Sequence, residues 1–319
     1  MFRGTFVGTV RAGRDKILPL GLLAALATVL ILLLAAQPAR AEPNDFLVNR
    51  TTNEPDANLS DTPNACDVNT ATAGNQCTLR AAIQEANATT NVDGPDEISF
   101  AIPSDKKKVK TFKPASELPA LTQAVTTDGY TQPGSKKNTR AKGAINAVLK
   151  GQLDGSGAGT DADGLIIQGS SDITIRGRVI NRFDRSGIFL TSTDGSDNNH
   201  IEGNFIGTNA TGTAILGNGS AGVEINGLND GNVVGGNLAE QRNLISGNEG
   251  DGVFAGTDGT DTIQRNLIGT NKTGTKDLHN GRTTTARVST WAVRTASSRT
   301  TLSPSTPRME CRSGVTPPA

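Results

Sequence analysis

Aromatic residues make up only 3% of the chain, with one Trp and one Tyr, whereas Gly occurs 37 times. So few rings argue against a core built from large side chains, and abundant Gly, Asn, Asp and Thr point to many turns joining short strands. The two His, His200 and His279, leave too few imidazoles for an ordinary transition-metal site, and no Ser/His/Asp order stands out. There is no excess of either charge, because Lys+Arg 31 balance Asp+Glu 31. The net charge therefore makes no electrostatic case for nucleic acid as a partner. A Gly-rich phosphate loop opening a helix is absent as well.

Long apolar runs are missing except at the start. Arg3, Arg11, Arg14 and Lys16 precede an apolar stretch, Ile17–Ala36, followed by Ala39-Arg40-Ala41. A basic flank, an apolar stretch and a small-x-small exit make residues 1–41 a secretory signal, with cleavage expected after Ala41. The stretch is also long enough to span a bilayer, so an uncleaved anchor stays open as the one membrane contact. In both cases the remainder lies outside the cytoplasm, where oxidation is permitted. Of the three cysteines, Cys66 and Cys77 lie close together and are expected to pair, with two free thiols as the alternative. Cys311 has no evident partner.

After the turn-rich VNRTTNEPDANLSDTPNACDVNT comes CTLRAAIQEANATT, where Leu79, Ala82, Ile83 and Ala86 share one helical face. Thr78 is placed to cap that helix and Asn87 to stop it. EISFAIP, residues 97–103, alternates as a strand does, and KKKVK at 106–110 reads as a solvated strand edge or loop. From Leu149 onward short apolar segments recur between Gly, Asn and Asp. They are LII, ITI, GIFL, NFIG, GVEI, NVVGG, NLISGN, GVFAG and NLIG. None is long enough for a helix, which excludes alternating β-α units and leaves an all-β array.

The array repeats. Gly187-Ile188-Phe189 returns as Gly252-Val253-Phe254, and NFIGTNATGTAILGN at 204–218 returns as NLIGTNKTGTKDLHN at 266–280. Each long repeat reads as two or three coils of roughly 20 to 30 residues, a period that means a solenoid or array. Such coils bury an apolar face only by stacking, with Asn ladders at equivalent corners and Gly at the bends. The fold expected is all-β, a right-handed parallel β-helix over 104–280. Propellers need longer strands, and leucine-rich repeats need a helical half.

Two stretches resemble known families. NACDVNTATAGNQCTLRAAIQEANATTNVDGPDEISFAIP is similar to the CSLREA-type domain of exported bacterial proteins, through Cys77, Leu79, Arg80, Ala82, Ile83 and Asn87. Thr78 and Ala81 depart from the Ser and Glu of that motif. Residues 128–280, including DGYTQPGS and LDGSGAGTDADGLIIQG, resemble the parallel β-helix repeats that usually follow it. The resemblance implies a secreted or surface protein of repetitive architecture and no single reaction. With it, residues 42–103 become an N-terminal segment whose short helix caps the coils. Leu79 and Ile83 plug the first one, and a Cys66–Cys77 bridge holds the approach.

Two functions fit. One is a non-catalytic, adhesin-like scaffold at the bacterial cell surface, with a polysaccharide or protein partner along its repeat faces. The alternative is a polysaccharide lyase or glycoside hydrolase, which needs two carboxyl groups about 5 to 10 Å apart. The candidates for that work are Asp184 with Arg182 and Arg185, and Glu249 with Asp251. Asp194 and Asp258 form another matching pair. Each adjoins a turn, where Asp caps backbone whatever the function. No cofactor is required. Asp154, Asp161 and Asp163 invite a calcium reading, but their spacing fits no EF-hand loop and a turn-rich strand connection is preferred. An active site would also break the repeat, whereas the copies differ mainly in loop length.

Residues 281–319 change character, with six Arg, one Glu, and neither Asn nor Asp. A disordered linker or a shifted reading frame explains the change, and both predict a tail without stable fold.

Overall fold

The computed structural model describes residues 43–59, 66–103, 105–193, 195, 197–228, 230–256 and 260–281, and the backbone of 288–290. The leader with Ala41, Asp194, Asp258, and Cys311 lie outside the described residues. The chain is mostly strand, and its strands form three parallel sheets.

The first sheet holds β1 (Asp45–Val48), β2 (Asp96–Phe100), β4 (Val125–Asp128), β7 (Thr174–Arg176), β10 (His200–Glu202), β13 (Val233–Gly235) and β16 (Thr262–Gln264), in that order. The second runs from β3 (Lys110–Phe112) through β5 (Gly151–Asp154), β8 (Arg178–Asn181), β11 (Phe205–Ile206) and β14 (Leu244–Ile245) to β17 (Leu267–Ile268). The third holds β6 (Leu165–Gln168), β9 (Ile188–Ser192), β12 (Val223–Gly227), β15 (Val253–Gly256) and β18 (Val288–Thr290). From β4 onward the chain visits the three sheets in strict rotation, and each strand pairs with the one laid down a circuit earlier. Successive circuits differ in length: ladder partners lie 26, 33 and 29 residues apart in the first sheet and 39 and 23 in the second.

Alternate residues of all three sheets face one core. Ile175, Ile201 and Val234 enter it from the first, Ile180, Ile206 and Ile245 from the second, and Ile188, Val223 and Val253 from the third. Small β-branched and aliphatic residues suffice because each stacks on its own kind in the adjoining circuit. That explains how a chain with few rings still buries a continuous column.

Between the sheets, three columns of buried Asn close the corners. Asn199 donates through Nδ2 to Asn232 Oδ1 at 3.0 Å, and Asn232 to Asp261 at 3.0 Å. Asn243 donates to Asn266 at 2.9 Å, and Asn204 N–H donates to Asn243 Oδ1 at 2.8 Å. Asn218, Asn248 and Asn280 form the third column, at 2.8 and 2.9 Å. The repeated phrase is thereby explained. Its first Asn (204, 266) belongs to one column and its last (218, 280) to another. Its middle Asn (209, 271) folds the loop between, by accepting from the N–H groups of Thr213 and Ala214, or of Thr275 and Lys276. Gly207 and Gly269 turn out of the strand at φ +84° and +74°, and a Cβ on Gly207 would meet Ser246 O at 2.3 Å. The intervening NLISGN carries the same two column positions, Asn243 and Asn248, with no loop, which accounts for the unequal circuits.

The helix α1 (Leu79–Ala88) is the one α-helix among the described residues. Thr78 caps it by accepting from Ala81 N–H, and Leu79, Ala82, Ile83 and Ala86 are buried against β1 and β2. Asn87 does not stop it, since the helix runs through Ala88. Its amide instead donates to Ala120 O and accepts from Thr122 N–H. Arg80 clamps the same stretch from below, donating to the carbonyls of Ser116 and Glu117, both at 2.9 Å. Cys66 and Cys77 are joined by a disulfide.

Three expectations change. The boundary at 103/104 separates no sheets, because β1 and β2 pair directly and β2 pairs with β4. The tail is not devoid of structure: Val288–Thr290 forms β18 on β15, where the free strand edge offers unpaired N–H and C=O groups. Lys110 is a buried member of β3 rather than part of a solvated edge, with Nζ donating to Asp105 O.

One residue resists the pattern. Arg178 is 1% exposed, faces the core at the head of β8, and lies 4.2 and 4.6 Å from the ring centroids of Phe100 and Phe112. Neither terminal nitrogen has a hydrogen-bond partner. Stacking on two rings offsets part of the cost of burying the charge. Burial pushes its pKa well down, to about 9.

Two predictions follow from these packing features. Asn243→Ala strands Asn204 N–H and Ile201 O in the interior and should cost about 2–4 kcal/mol in chemical denaturation. Arg178→Met should raise stability by roughly 1 kcal/mol or more, because a packed apolar group replaces a buried charge. The folded pKa of Arg178 lies below the unfolded one, so the folded state gives up the proton first. The wild-type deficit relative to Arg178→Met should therefore be full below about pH 9 and shrink as pH rises above it.

Candidate binding face

Each sheet turns one face outward, and the three faces differ. That of the second sheet is covered by the chain itself. Ile145, Ala147 and Leu149 pack over Val179, Phe205, Leu244 and Leu267 as a second core. Arg242, fully buried, pins this cover through the carbonyls of Arg140 and Gly143, at 3.0 and 2.9 Å.

The outer face of the first sheet carries an ion cluster. Arg176 meets Asp128 at 2.7 Å and Glu202 at 4.0 Å, and Gln241 donates to Glu202 at 2.8 Å. Burial pushes the Glu97 carboxyl upward, helped by the charges of Asp128 and Asp45 and opposed by Arg176. Tyr130 donates its hydroxyl to Gly203 O, and burial followed by the nearby carboxylates pushes its pKa up. The charges are paired with one another and hold neighbouring circuits together.

The third sheet presents a different surface. Ile166, Phe189, Glu224 and Phe254 stand in register on successive strands, all half-buried. Beside them runs a polar row of Gln168, Thr191 and Asn226, ending at Gly256. Glu224 is held from both sides, with the buried Ser186 hydroxyl donating to one carboxylate oxygen and Asn226 Nδ2 to the other at 2.7 Å. Ser186 N–H in turn donates to Asp163 Oδ1 at 2.7 Å, and Asp163 N–H donates to Glu117 at 2.9 Å. Arg185 lies 3.8 Å from Asp163 and 5.8 Å from the Phe189 centroid. Burial pushes the Asp163 carboxyl upward, against the Ser186 N–H bond and the charge of Arg185, with Glu117 and Glu224 adding to the rise.

Two of the candidate catalytic residues, Arg182 and Asp184, engage residues of the adjoining circuit. Arg182 turns away from Asp184 and binds Asp154 Oδ2 at 2.6 Å. Asp184 accepts from Asp161 N–H at 2.8 Å. Asp251 precedes β15, two circuits beyond Asp184, and its carbonyl accepts from Gly222 N–H. Asp154 caps a turn through Ser156 N–H. The three aspartates weighed for calcium thus serve three different turns or corners. Among the described residues no group of three or more His, Cys, Asp or Glu is arranged to hold a metal ion. His200 sits half-buried in β10.

Sequence reasoning passed over Glu224 and Ser186, although Phe189 and Phe254 stood in the matched triplets. Register alone places Glu224 between those rings, two circuits apart. No known protein-family model matches this chain, and no curated protein matches it.

The Asp163 carboxyl is useful to its corner as an acceptor and costly as a buried charge. Asp163→Asn should therefore fold at least as stably as wild type at neutral pH, whereas Asp163→Ala should lose about 1–3 kcal/mol by orphaning Ser186 N–H. The folded pKa lies above the unfolded one, so any advantage of Asp163→Asn should shrink as pH falls through the folded value. Thermal melts across pH check both.

Proposed function

We propose that the stacked circuits wind as a right-handed parallel β-helix of the CSLREA type. The protein is an exported, cell-surface scaffold that binds a glycan or protein partner along its repeat faces without catalysis. Strict rotation through three parallel sheets supports the winding, and parallel crossover connections are right-handed almost without exception. In this reading α1 closes one end of the column through Leu79 and Ile83, and the disulfide holds the chain leading to it.

The motif residues support a structural role for the CSLREA-like segment. Cys77 is bridged, Thr78 caps, Leu79, Ala82 and Ile83 are buried, and Arg80 and Asn87 tie down residues 116–122. One observation carries the binding reading: a half-exposed row of aromatic and carboxylate side chains in register, with no cover among the described residues, on a chain whose Asp184, Arg182 and Asp154 are engaged in turns. A row repeated by the backbone period suits a ligand that is itself periodic.

The test is to present the exported chain with neutral and acidic polysaccharides, measuring both retention and cleavage. Retention without turnover is expected. Clear turnover that disappears in Asp184→Asn would overturn the proposal and establish the carbohydrate-active alternative.

A further inference from the structure

We infer that the outer face of the third sheet binds an extended, uncharged, β-1,4-linked oligosaccharide lying along the strand-stacking direction. Phe189 and Phe254 serve as two stacking platforms, and Glu224 as the hydrogen-bond acceptor between them. This rests on the glycan-binding reading above and specifies its site.

The spacing argues for it first. Phe189 pairs with Glu224 and Glu224 with Phe254, so the two rings stand two strands apart, ~10 Å at the usual strand separation. An extended β-1,4 chain advances by close to one strand spacing per sugar and turns over at each link. Alternate sugars therefore present the same face, matching rings at alternate strands. A coiled α-1,4 chain does not keep that match. Ile166 continues the row beyond Phe189.

The chemistry argues for it next. Each ring offers an apolar surface to the C–H face of a pyranose. The ring of Phe254 lies over Gly256, where a Cβ would come within 2.8 Å of its edge. A larger residue at 256 would lift the ring. Glu224 is oriented in advance by Ser186 and Asn226, so little ordering remains on binding. Thr191 and Asn226 border the row with groups able to meet sugar hydroxyls. The Glu224 carboxylate opposes a polyanion, and Arg185 faces Asp163 at 3.8 Å, so an uncharged ligand fits best. A dry protein partner, including a second copy of this chain, would bury Glu224 without new donors and incur its desolvation cost. A hydroxylated ligand satisfies it.

Titration calorimetry of the full exported chain with cellohexaose and chitohexaose, and maltohexaose as the comparison, reads the proposal directly. Binding to one of the extended oligomers is expected, with maltohexaose weaker by roughly tenfold or more. Phe189→Ala and Phe254→Ala should each weaken binding by roughly tenfold, and the double variant should abolish it. Glu224→Gln, which keeps shape and fold, should weaken it several-fold. Thermal melts matching wild type would show that these outward-facing variants remain folded. Undiminished binding by the folded double variant would overturn this site while leaving glycan binding intact. Failure to bind any polysaccharide would overturn this site together with the glycan-binding reading, leaving a protein partner. Equal affinity for maltohexaose would overturn the extended geometry. A dimer in sedimentation that dissociates in the double variant would replace the sugar with a second copy.

Discussion

A strand of two to five residues has more unpaired backbone than side chain to bury, and every N–H and C=O of its edges has to find a partner in the adjoining circuit. That constraint governs this molecule. It explains why the strands are parallel and in register and why Ile stacks on Ile. It also explains why the corners are built from Asn, whose amide both donates and accepts and so carries the hydrogen-bond ladder round bends where the strand ladder lapses. Asp261 continues one column, its carboxylate accepting from both Asn232 N–H and Asn232 Nδ2.

The same constraint sorts residues into those free to vary and those that are not. Loop length between column positions varies freely, since the loop of Asn204–Asn218 points outward and the shorter NLISGN connection serves the same two columns. Most inward residues are aliphatic, with Thr127 and Lys110 among the buried polar ones. Arg178 lies where the stacking rings of Phe100 and Phe112 replace the aliphatic column. A cation whose two terminal nitrogens lack hydrogen-bond partners is held there by packing on the two rings.

The three outer faces that the ladder leaves differ in what covers them. One outer face is covered by the chain's own excursion and pinned by Arg242, and a second is closed by mutual ion pairing around Arg176. The third keeps a half-exposed row whose period is that of the backbone. Asp184, weighed as an acid–base residue, and Asp154, weighed for calcium, each bond a backbone N–H group within their own or the adjoining circuit.

How much was legible in advance follows from the range of each interaction. The sequence by itself determined the short strands, the Asn and Gly at the corners, the apolar face of α1 with Leu79 and Ile83, and the two-copy period. All of these are local patterns or self-similarities. It could not show that Arg182 reaches Asp154 rather than Asp184, because that choice is made between residues brought together by separate circuits. Nor could it show that Glu224 falls between Phe189 and Phe254. Unequal loops make those residues 35 and 30 positions apart, and only strand register sets them side by side. The burial of Arg178 and Lys110, and the pairing of β18 with β15, were likewise decided by the tertiary structure. Each depends on which neighbour the stacking supplies, and a charged or polar residue in sequence carries no mark of that neighbour.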